Sequence, residues 1–210
     1  MVEQQYSVMI GACGWEHPAW DEVFYPDDLP EDWRMGFYSN EFPVLQLPLS
    51  RIMAAPEDEL DEWLEDSHEG FRLVVELEST LDSRAEARLL ALQHRLLALI
   101  LSDEAISVPE SLSSLPCLWA PREDNACELH LQAGRGQIWT GESSPCWDER
   151  LAIVCLQSGD YKDMKQLKQL LLSCAPALEE GRTLVLLFAG DPPDVQLMQN
   201  ARTLTELLGF

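Results

Sequence analysis

Apolar residues change period several times along this chain, and each change marks an element. Tyr6 to Ala12 reads as a first strand, with Gly11 and Gly14 permitting close backbone approach at its end. Val44 to Leu47 reads as a second. Leu60, Trp63 and Leu64 then recur at helical spacing after Pro56, so the run Glu57 to Asp66 predicts an amphipathic helix with a carboxylate-rich outer face. Phe71 to Glu78, bounded by Gly70, reads as a third strand. Ser83 with Glu86 forms a capping box that predicts a helix through Leu101, carrying Leu89, Leu92, Leu96 and Leu99 on one face. Short strands are expected at Ala105 to Val108, Pro116 to Trp119 and Cys127 to Gln132. Leu151 to Gln157 and Thr183 to Phe188 are near-continuous apolar runs, as strands buried on both faces require. Between them a helix from about Tyr161 to Glu180 is bent by Pro176 and stopped by Gly181. Pro192 and Pro193 prepare a last helix running to Leu208.

Strands alternating with helices predict a parallel α/β fold, and the absence of a repeat or low-complexity linker favours one domain over residues 1–210. The 210 residues are 46% hydrophobic, enough for a large core.

Charge narrows the partners. The chain has 37 acidic and 14 basic residues, a formal net charge of -23. Such a surface repels phosphate backbones and anionic lipid, and only Lys162, Lys165 and Lys168 cluster, so neither nucleic acid nor membrane is expected as a partner. An unknown protein or small-molecule ligand is expected instead. Residues 1–70 hold 17 of the acids against Arg34 and Arg51 alone. This reads as a solvated face, with a docking surface for a basic partner as the alternative. The opening Met-Val-Glu-Gln-Gln-Tyr has neither the basic nor the apolar region of a signal peptide, so a cytoplasmic location is expected.

Cys13, Cys117, Cys127, Cys146, Cys155 and Cys174 form no C-x-x-C pair, and His17, His68, His94 and His130 stand singly. The expectation is reduced, mostly buried thiols, with no metal site and no cofactor.

The opening segment carries a resemblance. Ile10-Gly11-Ala12-Cys13-Gly14-Trp15, then Trp20, Phe24-Tyr25-Pro26, Leu29-Pro30, Trp33 and Phe42 resemble the start of the YecE-like proteins, also called domain of unknown function 72. Thr183 to Asp191, followed by Gln199-Asn200-Ala201 and Leu204, is similar to that family's last strand and helix. The resemblance implies a TIM-type β/α barrel, shortened or incomplete at this length, with its site at the C-terminal strand ends.

The departures from the family pattern fall at those strand ends. Ala12 and Cys13 replace two hydroxyl residues; Gln46 and Pro48 stand for a glutamate and an asparagine. Glu76 takes the place of a lysine, Cys155 to Gly159 that of an arginine-histidine-glycine cluster, and Ala189-Gly190 that of paired asparagines. The resemblance with these departures therefore implies a non-catalytic barrel (a pseudoenzyme) or one with a much-altered site, acting by binding or interaction. The alternative is a metal-assisted hydrolase of a small or phosphorylated substrate.

Candidate catalytic residues are Cys13, Glu76, His130, Asp160 and Asp191. Cys13 ends a strand where a nucleophile would be exposed, though a thiol needs a lowered pKa to react, and small filler is its commoner role. Glu76 and Glu78 point the same way from their strand and suit a cation or a shared proton if that face is the barrel interior. His130 shares a strand face with Glu128 and Gln132, as a base held by a carboxylate would, or as an exposed polar face would. Asp160 and Asp191 follow buried strands, where barrel catalysts sit, and also suit helix N-caps. Trp15 and Trp20, with Gln46, are the expected pocket-lining residues, the two indoles serving equally as packing anchors. Gly134-Arg135-Gly136 reads as a turn.

Overall fold

The computed structural model describes residues 8–21, 23–103, 105–119, 135–137, 147, 150–157 and 164–210. Its centre is one sheet of eight strands: β1 Val8–Cys13, β2 Val44–Pro48, β3 Arg72–Leu77, β4 Leu96–Leu101, β5 Cys117–Trp119, β6 Arg135–Gln137, β7 Leu151–Gln157 and β8 Thr183–Ala189. They lie in the order β6-β5-β4-β3-β2-β1-β8-β7. Every pairing is parallel. The end strands β6 and β7 also approach each other, so the sheet curls round as a shortened TIM-type barrel. The five strands expected from apolar runs all lie in it.

Helices α1 Arg34–Glu41, α2 Leu49–Ala54, α3 Glu57–Asp66, α4 Ser83–Ala91, α5 Met164–Glu179 and α6 Val195–Leu208 fill the connections. The strands' outward residues, such as Ile10, Leu45, Leu47, Val75, Val154 and Leu186, pack against these helices in the larger core. Met9, Val44, Val74, Ala98, Ile100, Leu118, Ile153, Val185 and Leu187 make a second, inner cluster that fills the barrel. Burial on both faces explains the unbroken apolar runs.

Two close fits fix β1 against β2. A Cβ on Gly11 would lie 1.8 Å from the Val44 carbonyl oxygen, so only glycine allows this approach. The buried Tyr38 hydroxyl from α1 accepts from the Ala12 N–H at 2.7 Å and donates to the Val44 carbonyl at 3.0 Å, tying both strands to the helix.

Several expectations are corrected. The helix expected from Ser83 to Leu101 ends at Ala91; after a turn at Leu92 to Arg95, Leu96–Leu101 is strand β4. Leucine's helical propensity is weak beside the gain from burying five of these six apolar residues between helices and barrel interior. The N-cap of α4 is Asp82, whose Oδ1 accepts from the Ala85 N–H at 2.7 Å, and Ser83 is its first helical residue. Ala105 to Val108 is irregular rather than a strand. Asp194, not Asp191, caps α6, accepting from the Leu197 N–H at 3.0 Å. The expected strand at Cys127 to Gln132 and the start of the helix at Tyr161 lie outside the described residues.

Candidate functional site

In a parallel sheet, hydrogen-bonded neighbours point to the same side, so the registers identify the residues that share a level inside the barrel. Cys155 pairs with Leu187 and Leu187 with Gly11, while Cys13 pairs with Gln46 and Gln46 with Val74. A staggered barrel climbs two residues for every two strands, which is the stagger of an eight-stranded β/α barrel. From Cys155 on β7, that climb leads to Cys13 on β1 and then to Glu76 on β3. These three inward residues form one layer from alternate strands. Gly11, Val74, Leu118 and Ile153 lie one layer below, and Leu187, Gln46 and Ile100 come from the intervening strands. Pro48 and Ala189 stand at the next level towards the mouth.

Packing agrees with this geometry. Cys13 and Cys155 both lie on the upper side of the inner apolar cluster, and both are half-buried. The Cys13 thiol contacts that of Cys155 and feels the Glu76 carboxylate; the thiol contact and burial together push its pKa well above the ordinary range. Gln46, only 6% exposed, donates from Nε2 to Glu76 Oε2 at 3.0 Å. Burial, then the neighbouring Glu78 charge, raises the Glu76 pKa, and the Gln46 hydrogen bond opposes that rise. Glu78 lies just past β3, where its carboxylate accepts from the Ser50 N–H at 3.3 Å. Gln157 donates to the Cys155 sulfur at 3.8 Å. The mouth thus holds two thiols, one of them held firmly to its proton, beside a carboxyl, a poor setting for nucleophilic attack by sulfur.

Gly14, with φ +81°, turns the chain out of β1 and donates its N–H to the Gln46 carbonyl at 2.9 Å. His17 follows, its Nε2 3.0 Å from the Cys13 carbonyl oxygen. Trp15 and Trp20 are fully packed. Trp15 meets Trp63 edge to face at 4.9 Å, and the Arg51 guanidinium lies 5.2 Å and 4.8 Å from their two ring centres. Arg51 also pairs with Glu16 at 2.9 Å and Glu59 at 2.6 Å. Trp20 is 1% exposed, donates Nε1 to the Pro193 carbonyl at 2.9 Å and packs on Phe24, Tyr25 and Tyr38.

Of the candidates, then, Cys13, Gln46 and Glu76 come together. Asp191 is exposed two residues past β8, and His130 and Asp160 lie outside the described residues. The residue that sequence reasoning passed over is Cys155. Its signal was present, a cysteine near the end of a buried strand, but only the barrel's stagger brings it to Cys13. Among the described residues, no three His, Cys, Asp or Glu side chains gather closely enough to hold a metal ion together. A cleft of about 370 Å³ lies at the opposite end of the barrel, beside Val8, Pro43, His68, Arg202 and Phe210. That is the face on which β/α barrels build stability rather than chemistry.

Residues 9–101 match the family described as Protein of unknown function DUF72, so the YecE-like resemblance read from the opening motif is shown, the two names denoting one family. The fold is similar to that of a DUF72 family protein from Thermotoga maritima, with a TM-score of 0.62 at 13% identity, covering 98% of this chain and 100% of that one. It is also similar to a DUF72 family protein from Enterococcus faecalis, with a TM-score of 0.60 at 10% identity, covering 98% of both chains. At these identities the likeness concerns the fold. No curated protein matches the sequence.

Proposed function

We propose that this chain, a DUF72 protein over residues 9–101, is a binding barrel: it holds a ligand at the mouth formed by the strand C-termini and does not transform it. The observation that supports this reading is the mutual pairing of the mouth's polar side chains. Gln46 is bonded to Glu76 and Cys13 contacts Cys155. The Cys13 thiol is driven towards its neutral form and the Glu76 carboxyl is engaged by Gln46, so the layer offers recognition without a ready thiolate nucleophile. A hydrolase would need Glu76, His130, Asp160 or Asp191 to converge on one substrate, and Asp191 is instead solvent-exposed beyond β8.

The remaining features are proposed on the same footing. The net charge of -23 favours a protein or small-molecule partner over nucleic acid or anionic lipid. We place the protein in the cytoplasm, folded as one domain. Among the described residues no helix is long and apolar enough to cross a membrane.

Native mass spectrometry of the purified chain tests the reading. A retained ligand, recovered chemically unchanged after incubation and lost from Glu76→Ala, is the expected result. A retained compound that the wild-type chain converts to product, but Glu76→Ala or His130→Ala does not, would overturn it.

A further inference from the structure

The layer that joins Cys13, Glu76 and Cys155 holds two thiols in contact at the mouth, above an apolar interior. We propose that Cys13 and Cys155 form a two-coordinate site for a soft monovalent metal ion, Cu(I), entered from the strand C-terminal side. This deepens the binding reading above and rests on it.

Geometry selects the ligand. β8 lies between β1 and β7, and Cys13 stands two residues beyond Gly11, the residue level with Cys155 across β8, so two strand spacings of about 4.8 Å plus that climb hold the two Cα atoms well over about 7 Å apart. A disulfide needs Cα atoms closer than about 7 Å, so this pair does not close one without moving the sheet. The two thiols meet across that gap, and a small side-chain rotation that parts the sulfurs admits one two-coordinate ion between them. The site has two thiols rather than four ligands, which favours an ion content with few donors, and thiolate is the ligand type that selects Cu(I).

The surroundings fit an ion of single charge. As each Cu–S bond forms, the thiol gives its proton to solvent, so two protons leave and no electron is transferred. The resulting bis-thiolate complex carries one negative charge. The apolar layer beneath, Val74, Leu118 and Ile153, excludes water that would compete for the ion. Cys13 and Cys155 are half-buried, so the mouth side gives access.

The test supplies Cu(I) anaerobically as its bicinchoninate complex to the full-length reduced chain. The expected result is transfer of one Cu(I) per chain, with affinity rising about a hundredfold per pH unit because two protons are released. Cys13→Ser and Cys155→Ser should each weaken it at least a hundredfold, while Cys117→Ser leaves it unchanged. Should either variant fail to fold, alkylation of the wild-type chain decides, since bound Cu(I) should protect Cys13 and Cys155 from iodoacetamide in peptide maps. No transfer, binding that survives both substitutions, or protection of other cysteines alone would overturn the site. If no Cu(I) binds but native mass spectrometry recovers a different ligand lost in Glu76→Ala, the metal site falls and the binding reading stands.

Discussion

Glu76 shows how one residue's role depends on its level in the barrel. Its folded pKa lies above the ordinary carboxyl value of 4.5, raised mainly by burial. The fold therefore binds that proton more tightly than the unfolded chain does. The resulting stability is fully present below the unfolded pKa and is lost as pH rises through the folded one. Glu76→Gln resembles the protonated acid at every pH, so its stability relative to wild type should be greater at pH 7 than at pH 3.5, as measured by urea unfolding at both. Gln46→Glu should do the reverse. Gln46 is buried and 3.0 Å from Glu76, so a second carboxyl there faces the first without a cation. A loss of about 2–3 kcal/mol at neutral pH, shrinking in acid, is expected from the same measurement.

At the scale of elements, helix ends rather than helix interiors separate near-synonymous sequence signals. Asp82 and Ser83 are both good capping types, yet only Asp82 reaches the Ala85 N–H. Asp82→Ala should cost about 1 kcal/mol and Ser83→Ala no more than about 0.5 kcal/mol by chemical denaturation. Asp194 and Asp191 form a parallel case at α6, where Asp194 carries the cap. The acidic helix α3 has Glu57, Asp58 and Glu59 in its first turn, favourably placed, but Glu65 and Asp66 in its last. Arg95 offsets that end by donating to the Leu64, His68 and Glu69 carbonyls at 3.2, 2.7 and 2.6 Å. The six-residue apolar run of β4 follows directly from the turn that Arg95 closes.

For the whole molecule, charge is the dominant global term. A net charge of -23, concentrated in residues 1–70, makes the folded chain repel itself, while the ion pairs of Arg34 with Asp21 and of Arg51 with Glu16 and Glu59 relieve it locally. At 0.5 M salt the Debye length falls to about 4–5 Å, and the repulsion is largely screened. The melting temperature should therefore rise between 0.05 and 0.5 M NaCl, by roughly 2–4 °C for each kcal/mol relieved. A fall would show that the local pairs outweigh the general repulsion.

The sequence alone determined what depends on neighbouring residues. Strands β1, β2, β3, β7 and β8 were legible because apolar runs of strand length have no other easy use, and α3 because Leu60, Trp63 and Leu64 recur at helical spacing. The Gly11 to Trp15 motif and the aromatics after it pointed to the family and hence to the barrel. What the tertiary structure decided depends on contacts between distant segments. Leu96 to Leu101 is compatible with helix or strand until both its faces are seen to be buried. Trp15 and Trp20 suit a pocket or a core until Arg51, Trp63 and the Pro193 carbonyl are found against them. Cys13, Glu76 and Cys155 share a level only because eight staggered strands close round one axis, and stagger is set by the packing of the whole sheet rather than by any local run of residues.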